Sequence, residues 1–321
     1  MDKEALPRLD THPELVKRIL PLCRLKAGEV WEDPVRGHRV GVLDASAKGD
    51  IYKLLGGDKS VCGIHDPPYN ISVGKKNTAD LFSTDSKTYI DFTRLWVTNA
   101  EASLAENSHL YIWLGADQEK GFQPLPEVML LLREFSSLKS RSFITLRNQR
   151  GYGTQKNWMC LRQELLYYTK GNPYFQVVYT EIPKILKGYY KKVGGEIREN
   201  LERSRSENLR PGNVWVDIQQ VFYRLKENVP GAYAQKPLAA IIRILRASTK
   251  EGDLVTDFFS HAGTTLVACE RENRLCYTSD INPVFAELSI RRLEHLRKTG
   301  EAGFQCGNPF PELGASLEIS G

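Results

Sequence analysis

The stretch from Asp253 to Asp280 narrows the fold more than any other part of this chain. Asp253-Leu-Val-Thr-Asp257 reads as a strand, and Phe258 to Thr265 as a turn rich in small residues. A helix begins at Thr264 and runs to Arg271, and Leu275-Cys-Tyr-Thr-Ser279, closed by Asp280, reads as a second strand. Short apolar runs of this kind are how strands buried on both faces of a parallel sheet look. Strand, turn, helix, strand and terminal acid is the unit with which open α/β sheets hold adenosine-type ligands at the carboxyl ends of their strands.

The same grammar recurs upstream. Arg39-Val-Gly-Val-Leu43 reads as a strand closed by Asp44, and Ser60-Val-Cys-Gly-Ile64 as a strand running into His65-Asp-Pro-Pro-Tyr-Asn70. Tyr89 to Ala105, Val128 to Phe135, Pro237 to Ala247 and Pro283 to Leu296 have helical spacing of apolar residues, and His109 to Leu114 reads as a strand. Ser142 to Leu146 and Glu164 to Thr169 read as strands flanking a loop from Arg147 to Trp158. Leu15 to Leu25 predicts a short helix ended near Gly28. Residues 1–36 therefore read as an appendage, 37–175 and 213–321 as two halves of one α/β domain, and 176–212 as an insert. That insert is polar, broken by glycines, and carries eight Lys/Arg against five Glu. No repeat of fixed period is visible.

Charge points to a polyanionic partner by its distribution more than its total. The net charge of +5 is a mild excess, but Lys139 to Gln163 holds six basic residues and no acid. A stretch of one sign is a candidate phosphate-binding surface. The polar stretch 71–88 reads as a loop carrying Lys75 and Lys76. With Arg147, Arg150, Lys156, Lys187, Lys191 and Lys192 they are the candidate nucleic-acid contacts. The six cysteines form no CxxC pair, so no metal site is expected. No apolar run approaches the ~20 residues a membrane helix needs, no signal-peptide pattern follows Met1, and the cytoplasm is the default address.

Asp66-Pro67-Pro68-Tyr69 carries the sharpest chemistry. An exocyclic amino nitrogen is a poor nucleophile because its lone pair is delocalised into the ring. A carboxylate (Asp66) and a rigidly held carbonyl (Pro67, braced by Pro68) that accept its hydrogens make the lone pair available. Tyr69 offers a stacking face for an extruded base. Downstream, Gly263 before a helix permits close backbone approach to a cofactor, and Asp280 can accept ribose hydroxyls or cap the helix that starts at Pro283. Lys236, between Gln235 and Pro237, can meet a ligand carboxylate.

In this order the motifs resemble the beta class of amino-methyltransferases, the DNA N6-adenine and N4-cytosine family. Asp66 to Tyr69 matches its catalytic motif, Gln235-Lys236-Pro237 its QKP cofactor motif, and Asp257 to Thr265 is similar to its DPFxGSGTT turn. Asp280-Ile-Asn-Pro283 resembles its ribose-binding motif, Asn213-Val-Trp215 a landmark upstream of QKP, and Asp44 an acid of its N-terminal half. The resemblance spans about residues 36–296. It implies a Rossmann-like, mainly parallel seven-stranded sheet with one antiparallel strand, helices on both faces, and a circularly permuted order with the catalytic half first. It implies S-adenosyl-L-methionine as cofactor, held by Asp44, Gln235, Lys236, Pro237, Asp257, Phe259, Ser260, His261, Gly263, Thr264, Thr265, Asp280 and Asn282. It also implies double-stranded DNA as substrate, 176–212 as target-recognition segment, base flipping, and direct in-line transfer without a covalent enzyme intermediate. An aspartate at position 66 favours adenine N6 over cytosine N4. A cognate restriction endonuclease and a second copy of the chain are candidate further partners.

The turn departs from the family pattern in three places. Phe258 stands where the family has proline, Ser260 where alanine is common, and His261 where the first glycine belongs. Histidine is among the residues more tolerant of φ > 0, at some strain; it either points outward or takes a cofactor or DNA contact. Two other classes stay open: an RNA or protein-amide methyltransferase, whose cofactor glycines usually precede the catalytic motif, and a non-catalytic DNA-binding relic.

Overall fold

The computed structural model describes residues 6–69, 86–115, 124–152, 158, 160–183, 190–199, 206–221, 225–233 and 235–313. Its strands are β1 (Val30–Glu32), β2 (Arg39–Val42), β3 (Ser60–His65), β4 (Leu104–Leu114), β5 (Leu138–Tyr152), β6 (Cys160–Lys170), β7 (Tyr190–Val193), β8 (Glu196–Glu199), β9 (Val214–Trp215), β10 (Leu254–Asp257) and β11 (Leu275–Asp280). Its α-helices are α1 (Pro13–Ile19), α2 (Lys48–Leu55), α3 (Ser86–Ser103), α4 (Pro124–Leu132), α5 (Leu238–Ser248), α6 (Thr264–Arg271) and α7 (Pro283–Thr299).

Side-chain alternation along the central strands sets the layers. On β4, Tyr111 and Trp113 pack on one face and Leu110, Ile112 and Leu114 on the other; on β6, Leu165 and Tyr167 oppose Leu166 and Tyr168. Strands apolar on both faces must be covered twice. Buried positions of α5, α6 and α7 (Ile241, Leu245, Leu266, Ile290 and Leu293 among them) cover the first face. Ile51 and Leu54 of α2, Trp96 and Val97 of α3, and Val128 and Leu132 of α4 cover the second.

The sheet order is β1-β2-β11-β10-β3-β4-β6-β5-β9. From β2 to β4 every pairing is parallel, and β6 runs antiparallel to both β4 and β5. The seven strands from β2 to β5 are therefore the expected set, six in one direction and one reversed. Two short strands extend it: β1, antiparallel to β2, and β9, parallel to β5. The β10–α6–β11 crossover leads one way from the centre and β3–α3–β4 the other, so the direction reverses between β10 and β3. That is the switch point at which open α/β sheets bind ligands.

Two regions differ from the sequence reading. The segment expected as an appendage is integrated into the body. Leu6, Leu9, Leu15 and Ile19 are buried against Val229, Ala262, Val284, Leu288 and Phe310, and Arg24 pairs with Glu287 at 3.0 Å and Glu294 at 2.7 Å. The apolar residues of this segment are too few to announce a core contact by period alone. The first part of the expected loop, Arg147 to Tyr152, is instead a continuation of β5, pairing Arg147 with Arg162 and Tyr152 with Cys160, and residues 153–157 lie outside the described residues. A strand pair satisfies its backbone without needing apolar side chains, so polar residues hid it. Within 176–212, β7 and β8 form a separate antiparallel hairpin closed by Gly194 and Gly195, with φ of 62° and 89°, as tight hairpin turns require.

Candidate active site

The two signature segments meet at one place. Asp66 directly follows β3 and Asp257 closes β10, and these strands are parallel neighbours with Val255 opposite Cys62 and Thr256 opposite Gly63. Both tips, and that of β11 bearing Asp280, emerge at the carboxyl edge of the sheet. There they border a cleft of about 340 Å³ lined by residues that include Asp44, Asp66, Tyr69, Lys236, Phe259, His261, Asp280, Asn282 and Phe285. A second, far smaller void of about 20 Å³ lies deeper, between Asp66, Lys236, Asp257 and Ser260.

Asp66 is held by both oxygens. Tyr69 Oη donates to Oδ1 at 2.6 Å and Lys236 Nζ donates to Oδ2 at 2.7 Å. The Lys236 ammonium is itself nearly buried and sits 5.2 Å from the centre of the Tyr69 ring and 5.5 Å from that of Trp113. Tyr89, on α3, donates to the Pro68 carbonyl at 2.9 Å and so braces the tetrapeptide from behind. Burial, and then the Asp66 charge, push the Tyr69 hydroxyl well above its ordinary range, so it remains a donor. A carboxylate oxygen carries a second lone pair, so Asp66 retains accepting capacity beside these two partners.

The downstream turn is organised by two acids. The Asp257 carboxylate accepts from Thr265 Oγ1 at 2.6 Å and from Phe259 N at 3.0 Å. Burial is the main reason its pKa is raised, to about 7, against the lowering effect of those bonds. Asp280 accepts from His261 N and Asn282 N, each at 2.9 Å, and burial raises its pKa to about 6. Asn282, rather than Asp280, caps α7, accepting from Val284 N at 3.0 Å. Ser260 N donates to Ser279 O at 2.8 Å, tying the turn to β11. Gly263 has φ +69°, and a Cβ there would stand 2.9 Å from Ser289 Cα on α7. His261 does take a positive φ, 44°, and its ring lies against Phe285 at 4.6 Å on the cleft wall. The conformational demand of the family's glycine is thus met by a non-glycine.

The other expected residues sort as follows. Gln235 turns away from the cleft, accepting from Val229 N at 3.1 Å and donating to Glu227 O at 2.8 Å, so it braces the preceding loop. Pro237 precedes α5 as its N-cap. Asp44 lines the cleft and accepts from Ser46 N at 2.8 Å. Thr264 and Thr265 are buried at the start of α6. Among the nucleic-acid candidates, Arg147 on β5 and Lys192 on β7 are exposed, Arg150 lies on β5 and Lys191 on β7. Lys75, Lys76, Lys156 and Lys187 lie outside the described residues.

Three residues escaped sequence reasoning. Arg292 on α7 is fully buried and donates to Ala302 O at 2.6 Å, Ala262 O at 2.7 Å and Thr264 Oγ1 at 3.0 Å, clamping the turn from below. Burial lowers its pKa to about 10, which leaves it charged at neutral pH. Ser289 Oγ donates to His261 O at 3.2 Å. His65 joins the two tips, its Nδ1 accepting from Phe258 N at 3.2 Å. None of these has a local sequence signal, since each acts on a partner far away in the chain.

A switch-point cleft with an acid-proline-proline-tyrosine tip beside a glycine turn defines a methyltransferase of the Rossmann-like α/β class. The chain belongs to the DNA methylase family of N6/N4 amino-methyltransferases, whose profile matches residues 62–291. Among its relatives, the type II methyltransferase M.HpaI of Haemophilus parainfluenzae is 26% identical over 231 residues, covering 72% of this chain and 67% of that protein. The DNA adenine methyltransferase YhdJ of Escherichia coli (strain K12) is 25% identical over 231 residues, covering 71% and 74%. The fold is similar to that of the PvuII DNA methyltransferase (cytosine-N4-specific), with a TM-score of 0.55 and 13% identity over 82% of this chain and 89% of that one. It is also similar to the M1.HpyAVI–SAM complex, with a TM-score of 0.51 and 17% identity over 78% and 96%. Among the described residues, no helix is long and apolar enough to cross a membrane.

Proposed function

We propose that this chain methylates adenine N6 in double-stranded DNA, using S-adenosyl-L-methionine. The observation that carries the reading is the adjacency of β3 and β10, which sets the Asp66 tip beside the Gly263 turn at one cleft. The cofactor supplies an electrophilic methyl group. The cleft suits it: Asp280 presents a carboxylate at a strand end for ribose hydroxyls, and Phe259 and Phe285 offer apolar walls for an adenine.

The chain's own residues then do the following. Asp66 and the Pro67 carbonyl accept the two hydrogens of a target amino group and free its lone pair, and Tyr69 stacks under the extruded base. Lys236 orients Asp66 through the 2.7 Å bond. The amino proton leaves through Asp66 or water, with positioning and electrostatics as the main sources of acceleration. Residues 37–175 are the catalytic half, 213–321 the cofactor half, and 176–212, with the β7–β8 hairpin, the target-recognition segment. The basic residues Arg147, Arg150, Lys191 and Lys192 contact DNA phosphates. An aspartate rather than a serine at position 66 supports adenine. Tritium transfer from labelled cofactor to duplex DNA, followed by nucleoside analysis, tests it: label in N6-methyladenine is expected, and label only in N4-methylcytosine would overturn the adenine assignment.

A further inference from the structure

Two unusual residues of the site meet in space. Phe258 stands where the family's turn carries proline, and His65 is the last residue of β3, immediately before Asp66. Proline has no backbone N–H, whereas Phe258 has one, and it is buried between the strand tips. That N–H donates to His65 Nδ1 at 3.2 Å. A buried donor without an acceptor is strongly unfavourable, so the phenylalanine needs what the histidine supplies. The two rings lie 4.7 Å apart, with Trp96 edge-on to the imidazole at 5.7 Å.

The protonation state follows from the bond. Nδ1 accepts, so the ring proton sits on Nε2, and burial holds the imidazole neutral at any working pH. Nε2 itself meets no hydrogen-bond partner, and it lies where a Cβ on Gly63 would be only 2.9 Å away. The ring fits because Gly63 carries no side chain, and the bond that Nδ1 accepts from the Phe258 N–H is its link to the turn, while the buried Nε2–H has no acceptor. By strand alternation His65 and Asp66 point to opposite faces, so one short piece of chain grips the cofactor turn on one side and presents the carboxylate on the other.

We infer that His65 is a positioning residue paired with Phe258: its Nδ1 takes up the N–H that proline would lack, and so fixes the Asp66 tip against the turn at Phe258–Gly263. The inference rests on the proposed function for what the two tips do, but its test does not need DNA. His65→Phe keeps an aromatic ring and removes the acceptor. His65→Asn gives up the ring and places Oδ1 where Nδ1 stood. Calorimetric titration with S-adenosyl-L-methionine should show His65→Phe weakened about tenfold and His65→Asn held within about threefold. Adding Phe258→Pro to His65→Phe removes the orphaned donor, so the double variant should bind no worse than Phe258→Pro alone. Thermal unfolding without cofactor should show the same non-additivity. The pH dependence of binding should be unchanged in His65→Asn, since the imidazole does not titrate. A merely space-filling ring would reverse the order, with His65→Asn worse than His65→Phe and the two losses adding in the double variant; that result overturns the pairing. If His65→Phe does not fold, a folded double variant supports the pairing and an unfolded one refutes it. If the wild-type chain bound no cofactor, the proposed function would fail while the unfolding series would still decide the pairing.

Discussion

Replacing Gly263 by alanine tests how the cofactor turn is built. Gly263 has φ +69° and opens α6, and a Cβ would lie 2.9 Å from Cα, Cβ and Oγ of Ser289. Ser289 cannot retreat easily, because its Oγ donates to Phe285 O at 2.9 Å and His261 O at 3.2 Å and its Cα belongs to α7. The left-handed conformation costs a non-glycine residue about 1–2 kcal/mol, and forcing a methyl into a packed contact about 1–3 kcal/mol more. The sum is roughly 2–5 kcal/mol. Gly252 separates the two parts, for it has φ +82° and nothing within 4 Å of its virtual Cβ. Gly252→Ala should lose only the conformational part, about 1–2 kcal/mol. Urea unfolding of both variants gives the difference, and titration with S-adenosyl-L-methionine should show Gly263→Ala much weakened and Gly252→Ala near wild type. Equal destabilisation with intact cofactor binding in Gly263→Ala would refute the idea that a bare backbone pressed onto α7 shapes the site.

Other perturbations follow from the same geometry. The Asp280 carboxyl has its pKa raised to about 6 by burial, so its contribution to stability is fully present at low pH and lost as pH rises through 6. Wild type compared with Asp280→Asn in urea should therefore gain relative stability from pH 8 to pH 5. If the Asp280 carboxylate receives the ribose as proposed, cofactor affinity should instead fall by up to about tenfold per pH unit below 6 and stay flat in the variant. Lys236→Met removes the donor to Asp66 Oδ2 and should lower saturated methyl transfer by roughly tenfold or more, read in a single-turnover assay; unchanged transfer would remove Lys236 from the orienting role. Arg292→Met leaves the carbonyls of Ala262 and Ala302 without their donor, and urea unfolding should register a loss of roughly 2–4 kcal/mol.

Much of this site is readable along the chain because its parts are strand ends. Parallel strands covered on both faces show up as short apolar runs, and an acid or proline that stops such a run marks the edge where ligands sit; Asp66, Asp257 and Asp280 were all visible that way. The chain's own pattern does not reveal contacts made across distance. Lys236 reaches Asp66 over 170 positions and His65 reaches Phe258 over 193. Nothing in the periodicity of α7 distinguishes Arg292 from a solvated arginine, although it is fully buried. The N-terminal segment and β9 were missed for a related reason. Strands of two or three residues, and a few leucines in a polar stretch, are stabilised by the surface they land on rather than by their own pattern. Gln235 shows the converse: its motif was legible, yet its side chain braces a loop instead of facing the cleft.

The most direct test of the account compares Asp66→Ala with wild type in one experiment that measures cofactor affinity by titration and label transfer to duplex DNA at saturating cofactor. If the amino nitrogen is gripped at the β3 tip, transfer should drop roughly 10²–10⁴-fold while affinity stays within about tenfold. Turnover close to wild type would show that the amino group is activated somewhere else.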